Sequence, residues 1–262
     1  MVFVLLPAYN EATSLEHLMP KIISKVDHIN EETRIILCDD GSEDGTKEVF
    51  LGYDERADLV LIEHWINRGL GETVRDLFEY VARHGEEGDI AIRLDCDDTH
   101  DPVNILKLIR KIEEGYDIAI VSRFQKGGGQ TGISLYRAFV SYCANLFMKV
   151  VFPLKGVRDY SSGFRAYRVE LIQDAIRLYS NNFIQLKGLG FTCTLEKLVK
   201  LRLLEPRMAE VPGILHYDQK KSTSKMVSSI TTFGYLTMML LYYWPWGGWR
   251  WTYKKKLKEF NS

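Results

Sequence analysis

The sequence predicts an α/β fold: a mostly parallel sheet, Rossmann-like, flanked by helices. Three observations carry this. Strand-like apolar runs alternate with helical patterns over residues 1–125, the signature of βαβ units. The runs are nearly continuous rather than alternating, as in strands covered on both faces. Carboxylates gather just past the fourth run, at the edge where open α/β sheets bind ligands.

Taken in order, strands are expected at Val2–Leu6, Arg34–Cys38, Leu59–Glu63, Ile90–Leu94 and Asp117–Val121. Helices are expected near Leu15–Val26, Gly45–Gly52, Glu72–His84 and Val103–Glu114. The strand order is left open. A Gly-rich linker, 127–132, separates this half from a helix over about Ile133–Val151. A loop over Arg158–Arg165, two more helical stretches and a short strand at Arg207–Val211 follow.

The carboxyl-terminal segment, 227–262, is of another kind. An apolar run from Phe233 to Tyr243 leads into Trp244-Pro245-Trp246-Gly247-Gly248-Trp249-Arg250-Trp251 and then Lys254-Lys255-Lys256. Apolar helix, indoles and lysines in that order predict amphipathic helices lying at a membrane interface. The run is shorter than the roughly 18 residues a spanning helix needs. Peripheral membrane contact is therefore expected through 229–258, with a Trp-rich protein contact as the alternative.

Composition narrows the function classes. The 262 residues carry a formal net charge of −1, which excludes a globally basic nucleic-acid binder. The four cysteines form no Cys-x-x-Cys pair, so neither a zinc site nor a disulfide framework is expected, and a reducing, cytoplasmic compartment fits. The amino terminus enters a strand with no basic flank, unlike a signal peptide.

Chemistry concentrates in four strand-to-helix loops. Asp95-Cys96-Asp97-Asp98 places several carboxylates together, which suits a hard divalent ion shared with a phosphate group. An extended backbone there would put Asp95 and Asp97 on one face and Cys96 behind. Pro7-Ala8-Tyr9-Asn10-Glu11 and Asp39-Asp40-Gly41-Ser42 fall on the same edge. Tyr9 offers a stacking face, and Asp39 or Asp40 an acceptor for the N–H groups of a base. Asn67-Arg68-Gly69-Leu70-Gly71 adds glycines that allow close backbone approach to a ligand.

In the following half, Arg137, Ser141, Asn145 and Lys149 recur every four residues and form one polar seam on an otherwise apolar helix. A seam with an arginine and a hydroxyl suits a phosphate with a greasy tail, and Arg123 offers a second guanidinium.

These loops, with Ser122-Arg123-Phe124, the Arg137 seam, Asp159-Tyr160-Ser161-Ser162-Gly163-Phe164-Arg165 and the late Ser224-Lys225, resemble the GT-A-fold, family 2 inverting glycosyltransferases. Within them the chain is most similar to dolichol-phosphate mannose synthases and related polyprenyl-phosphate glycosyltransferases. The resemblance implies a GT-A domain over 1–226, with a nucleotide-sugar half (1–125) and an acceptor half (126–226). It implies that Pro7, Tyr9, Glu11, Asp39, Asp40, Asn67, Arg68, Gly69 and Asp95 hold a nucleotide sugar. Asp95 and Asp97 would hold Mg²⁺ or Mn²⁺, and Arg123, Arg137, Ser141 and Lys225 the acceptor phosphate. Catalysis would fall to Asp97, Arg123, Arg137 and Asp159. Thr99 stands where the family usually carries glutamine, leaving the metal shell to water or Asp98. Gln219 and Ser222 replace an arginine and a glycine, so Lys220 or Lys221 would supply the missing charge.

The expected reaction moves a hexose, mannose from GDP-mannose in the leading form, onto a polyprenyl phosphate at the cytoplasmic face of a membrane. A hydroxyl acceptor with Asp159 as base is the alternative. A catalytically silent binding protein of the same fold is the third reading.

Overall fold

The computed structural model describes residues 1–220, 228–242 and 248–260. In chain order it forms β1 (Val2–Ala8), α1 (Ala12–Val26), β2 (Thr33–Asp39), α2 (Thr46–Leu51), β3 (Asp58–Glu63), α3 (Leu70–His84), β4 (Ile90–Arg93), α4 (Asn104–Glu113) and β5 (Ile118–Ser122). Then come β6 (Gly129–Thr131), α5 (Leu135–Val151), β7 (Arg165–Arg168), α6 (Val169–Tyr179), α7 (Thr192–Leu201), β8 (Met208–Pro212), β9 (Ile214–His216), α8 (Ser228–Tyr242) and α9 (Gly248–Phe260).

Seven strands make one sheet in the order β3-β2-β1-β4-β7-β5-β8. All neighbours are parallel except β7, which runs antiparallel to both β4 and β5. Every side chain of β1 and β5 is buried, as continuous apolar strands between two helical layers require. The helices cover those faces through helical spacing: Leu15, Leu18, Met19 and Ile22 on α1, Val74, Leu77, Phe78 and Val81 on α3, Ile105, Leu108, Ile109 and Ile112 on α4.

Register sets the working edge. Ala8 pairs with Asp39 and Asp39 with Glu63, so β1, β2 and β3 end level, while β4 stops earlier, with Arg93 opposite Leu5; all four following loops lie on one rim. Because β1 lies between β2 and β4, the order of winding reverses there, the kind of switch point outside which open α/β sheets bind ligands. The antiparallel entry of β7 adds to the rim: its first residue, Arg165, pairs with Arg93, so the 158–164 loop arrives at the same rim.

Two expectations are corrected. The Gly-rich stretch is not a loose linker: its Gly129–Thr131 pairs with β9 in a small parallel ribbon. Pro7 is the penultimate residue of β1, buried opposite Cys38, rather than a loop residue. The main sheet takes in strands from both sides of position 125, since β7 lies between β4 and β5, within the single domain expected over 1–226.

Among the described residues no helix is long and apolar enough to cross a membrane. Helix α8 docks through Thr231, Met238 and Tyr242, with the Tyr242 hydroxyl donating to Glu196 at 2.5 Å, and turns Phe233, Leu236 and Leu240 outward. Helix α9 packs Tyr253 on Tyr179 and donates Lys256 Nζ to the Leu178 carbonyl at 2.7 Å. Lys225, and the side chains of the Trp-rich stretch, lie outside the described residues.

Candidate active site

Strand β4 ends at Arg93, a guanidinium only 1% exposed in an otherwise apolar strand. It donates to the carboxylate of Asp95 two residues on. The backbone then bends rather than staying extended, yet Cys96 still packs into the core and Asp95 and Asp97 stay partly open. A side chain on Gly163 would collide with Arg93 Nη1, so glycine is required where the 158–164 loop crosses this pair. Arg165 and Lys197 are buried in the same region, giving the site a basic floor. Desolvation, then Arg93, press the Lys197 amine well below its ordinary value.

Asp97 accepts from Thr99 Oγ1 at 2.6 Å and from Lys220 Nζ at 2.6 Å. Burial pushes its carboxyl up, but Lys220 and the Thr99 hydroxyl outweigh this and hold it below the usual range. Lys220 reaches it because β9 is strapped to the acidic loop: His216 N–H donates to the Thr99 carbonyl at 2.8 Å, and Leu215 bridges to His100. Asp98 turns the other way. At φ 55° it accepts from Lys21 Nζ at 2.7 and 2.8 Å, so it does not complete a shell with Asp95 and Asp97.

Among the described residues no group of three or more His, Cys, Asp or Glu gathers for a metal. The Asp95–Asp97 pair still fits Mg²⁺ or Mn²⁺. Both are hard oxygen donors, and each already balances a cation, Arg93 or Lys220. Mg²⁺ in particular is commonly held by one or two carboxylates, with substrate phosphates and water supplying the rest.

The loops that follow β1 and β2 are stitched to one another. Asn10 N–H donates to Ser42 Oγ at 2.8 Å, Glu43 N–H to Asn10 Oδ1 at 2.9 Å, and Glu11 N–H to Thr46 Oγ1 at 2.9 Å. Asp39 gives Oδ1 to the Ser42 backbone and hydroxyl. Asp40 is buried with both oxygens engaged, by the Arg68 and Gly69 amides at 2.8 Å each and by His64 Nδ1 at 2.6 Å. It therefore shapes the Asn67 loop instead of presenting an acceptor to a base, which leaves that role to Asp39. The Asn67 and Arg68 side chains point to solvent. Gly71 makes its close approach to protein: a Cβ there would lie 2.5 Å from Lys187 Cα, correcting the expectation of a ligand.

In the loop ahead of β7, Asp159 is 0% exposed and holds Arg123 in a fork, Nε to Oδ2 and Nη2 to Oδ1 at 2.8 Å each. Its carboxylate also accepts the Arg123 and Ser162 amides at 3.1 Å each. Burial opposes its charge, but the guanidinium prevails and holds the carboxyl below the ordinary range. Arg123 Nη2 also donates to Ser161 Oγ. Arg123 thus spends Nε and Nη2 within the fold, and Asp159 is a poor general base. Asn145 pins the same loop, donating to the Arg158 carbonyl and accepting from Tyr160 N–H at 2.9 Å.

Helix α5 is amphipathic with its faces reversed. Ser141, Asn145 and Met148 turn inward, while Leu135 (89% exposed), Phe139 (65%) and Val150 (71%) face out, with Tyr136, Leu146 and Phe147 beside them. The seam divides accordingly: Asn145 is buried and structural, Ser141 half-buried, Arg137 and Lys149 exposed. Phe124 meets Tyr142 edge-on at 6.2 Å, which ties the Arg123 loop to this helix.

Sequence reasoning missed Arg93, Gly163, His64 and Asp76 as site-forming groups. An arginine inside a buried apolar run was the available signal for Arg93, since such a charge must find a partner. For His64 and Asp76 no local pattern exists.

A family model described as glycosyl transferase family 2 matches residues 3–175. A dolichol-phosphate mannosyltransferase of Pyrococcus furiosus is 31% identical over 86% of this chain and 60% of its own length. A polyprenol monophosphomannose synthase of Mycolicibacterium smegmatis is 31% identical over 65% and 62%, respectively. An undecaprenyl-phosphate 4-deoxy-4-formamido-L-arabinose transferase of Salmonella choleraesuis is 30% identical over 69% and 53%. The chain thus spans 53 to 62% of the length of these relatives.

Among solved structures, glucosyl-3-phosphoglycerate synthase from Mycobacterium tuberculosis, in complex with Mn²⁺, UDP and phosphoglyceric acid, superposes with a TM-score of 0.60. It is 20% identical, over 92% of this chain and 77% of that one. TarS 1–349 of S. aureus in complex with UDP-GlcNAc gives 0.59 at 15% identity, over 91% and 66%. The fold they share with this chain is GT-A.

Proposed function

Because the chain belongs to glycosyl transferase family 2, we propose that it moves a hexose from a nucleotide sugar to a polyprenyl phosphate at a membrane surface. Mannose from GDP-mannose is the leading donor, and the cytoplasmic face the proposed location. The observation that supports this most is the reversed α5 helix: apolar side chains face out beside a half-buried Ser141 and an exposed Arg137, near the Arg123 loop. A lipid phosphate needs just such a border between grease and fixed positive charge. The relatives named for dolichol-phosphate, polyprenol and undecaprenyl-phosphate substrates point the same way.

The chemistry follows from the acceptor. A phosphate monoester has a second pKa of about 6, so at neutral pH it is already an anionic nucleophile. It requires positioning and charge compensation rather than proton removal. Arg137 and Ser141 would take the phosphate, with Lys225 by resemblance. Asp159 fixes Arg123 and with it the loop wall between donor and acceptor. Tyr9, Asp39, Asn67 and Arg68 would hold the nucleotide. Asp95 and Asp97 would hold Mg²⁺ or Mn²⁺, which when bound neutralises the departing diphosphate as a Lewis acid. Lys220, already on Asp97, lies within reach of the same charge.

A panel of GDP- and UDP-sugars, each with and without Mn²⁺, tests the donor half by thermal shift, because a ligand that binds the native chain raises its stability. At least one sugar nucleotide should raise the transition temperature only with metal present. No shift with any of them would refute the reading.

A further inference from the structure

The structure assigns His64, backed by Asp76, as a positioning residue for the nucleotide-sugar loop, an inference that rests on the donor reading above. Strand β3 stops at Glu63, and within six residues the chain must turn into α3 while presenting Asn67 and Arg68. The His64 ring is buried at that turn. Its Nδ1 lies 2.6 Å from Asp40 Oδ1 and its Nε2 2.9 Å from Asp76 Oδ2. Each ring nitrogen thus meets one carboxylate oxygen, and the ring bridges Asp40, just past β2, to Asp76 on α3. Cys38 Sγ stands 3.6 Å from Nε2 as a neutral thiol, because burial and then the surrounding aspartates raise its pKa.

This ring completes the hydrogen-bond shell of the buried Asp40. The Asp40 carboxylate carries the Arg68 and Gly69 amides at 2.8 Å each, and those amides set the path of the loop. A buried carboxylate oxygen short of hydrogen-bond partners is costly, and the ring supplies one to Oδ1 beside the Arg68 amide. Asp76, on the second turn of α3, holds the ring from behind. The loop so fixed abuts the other wall of the nucleotide site. A Cβ on Gly41 would come within 2.8 Å of the Ile66 carbonyl carbon and 3.0 Å of Asn67 N. The chain Asp76–His64–Asp40–loop therefore sets the spacing between the Asn67 loop and the Asp39–Ser42 turn. A satisfied core histidine with no such role is the competing account.

The test combines amide hydrogen exchange of the unliganded chain with calorimetric binding of GDP and UDP in the presence of Mn²⁺. In His64→Gln, exchange at residues 67–70 should rise about tenfold while β1 and β4 keep their protection. Nucleotide should bind about tenfold more weakly, the loss expected for a charge-assisted hydrogen bond. KM for the sugar nucleotide should rise with kcat within about twofold. Adding Asp76→Asn to His64→Gln should recover most of the loss, since two neutral amides can pair where an acceptor otherwise faces an acceptor. Unchanged exchange at 67–70, exchange that rises equally in the core, or no recovery in the double variant would overturn the assignment. Should His64→Gln fail to fold, Asp76→Leu decides by the same exchange, expected about threefold faster at the loop and unchanged if the ring does no positioning. The exchange arm needs no ligand. Failure of the unaltered chain to bind either nucleotide would therefore sink the donor reading and still leave the clamp to be judged.

Discussion

Asp97 is an acidic side chain whose charge the fold stabilises in advance, with an ammonium on one oxygen and a hydroxyl on the other. Asp97→Asn keeps the shape and removes the charge, so turnover should fall by at least about a hundredfold, a loss typical of removing a group that acts on charge at the reacting centre; a radiolabel assay with the sugar nucleotide measures it. Asp159 makes a different prediction. Its carboxyl is held below the ordinary range, so the stabilisation from its pair with Arg123 is complete above that range and is lost as pH falls through the lowered value. Arg123→Met leaves a buried carboxylate without its partner and should cost about 3–5 kcal/mol at pH 7. Urea unfolding should show the gap between variant and parent narrowing as pH falls through the ordinary carboxylate range, and closing only below the parent's lowered value, where the carboxyl is protonated in both. At this scale the acidic pair, Asp39 and the Asp159 loop were legible, because each stands in a short run of like or unusual residues. The partners were less so: Lys220 was named for its charge but not for its contact with Asp97, the signal for Arg93 was passed over, and His64 and Asp76 become neighbours of Asp40 only through strand register and loop closure.

Among the elements, the five strands and four helices of the first half could be read within a few residues, because buried parallel strands and one-sided helices leave strong periodic patterns. The strand β7 could not. Its four residues, Arg165-Ala166-Tyr167-Arg168, carry two arginines and no apolar run, yet sheet pairing makes it the element that swings the Asp159 loop to the rim. The ribbon of β6 and β9 was hidden by three-residue length and glycine content. The seam on α5 was visible as a period, but only packing reveals which side faces in. The exposed side of α5 yields the element-scale prediction. Phe139→Ser with Phe147→Ser removes apolar surface that the folded chain leaves in water, so thermal stability should change little. Flotation with liposomes should weaken about tenfold per phenylalanine that enters the bilayer interface, given roughly 1.5–3 kcal/mol for burying such a side chain. Equal flotation of parent and variant would remove α5 from the membrane contact and leave it to 229–258.

Across the whole molecule, one sheet edge collects the loops that follow β1, β2 and β3, the acidic loop after β4, the Arg123 loop after β5 and the Asp159 loop before β7. They are successive loops of one rim, with buried basic side chains under the middle. On the proposed function, a nucleotide diphosphate and a second phosphate would lie along this rim, each beside guanidinium or ammonium groups of the fold. The most direct measurement is transfer of labelled sugar from GDP-mannose or another sugar nucleotide to a short polyprenyl phosphate in liposomes, followed by organic extraction. The account predicts label in the lipid fraction that depends on Mg²⁺ or Mn²⁺, falls sharply in Arg137→Ala and disappears in Asp97→Asn. Label appearing only on a water-soluble hydroxyl acceptor, or lipid labelling that persists undiminished with chelator, would contradict it.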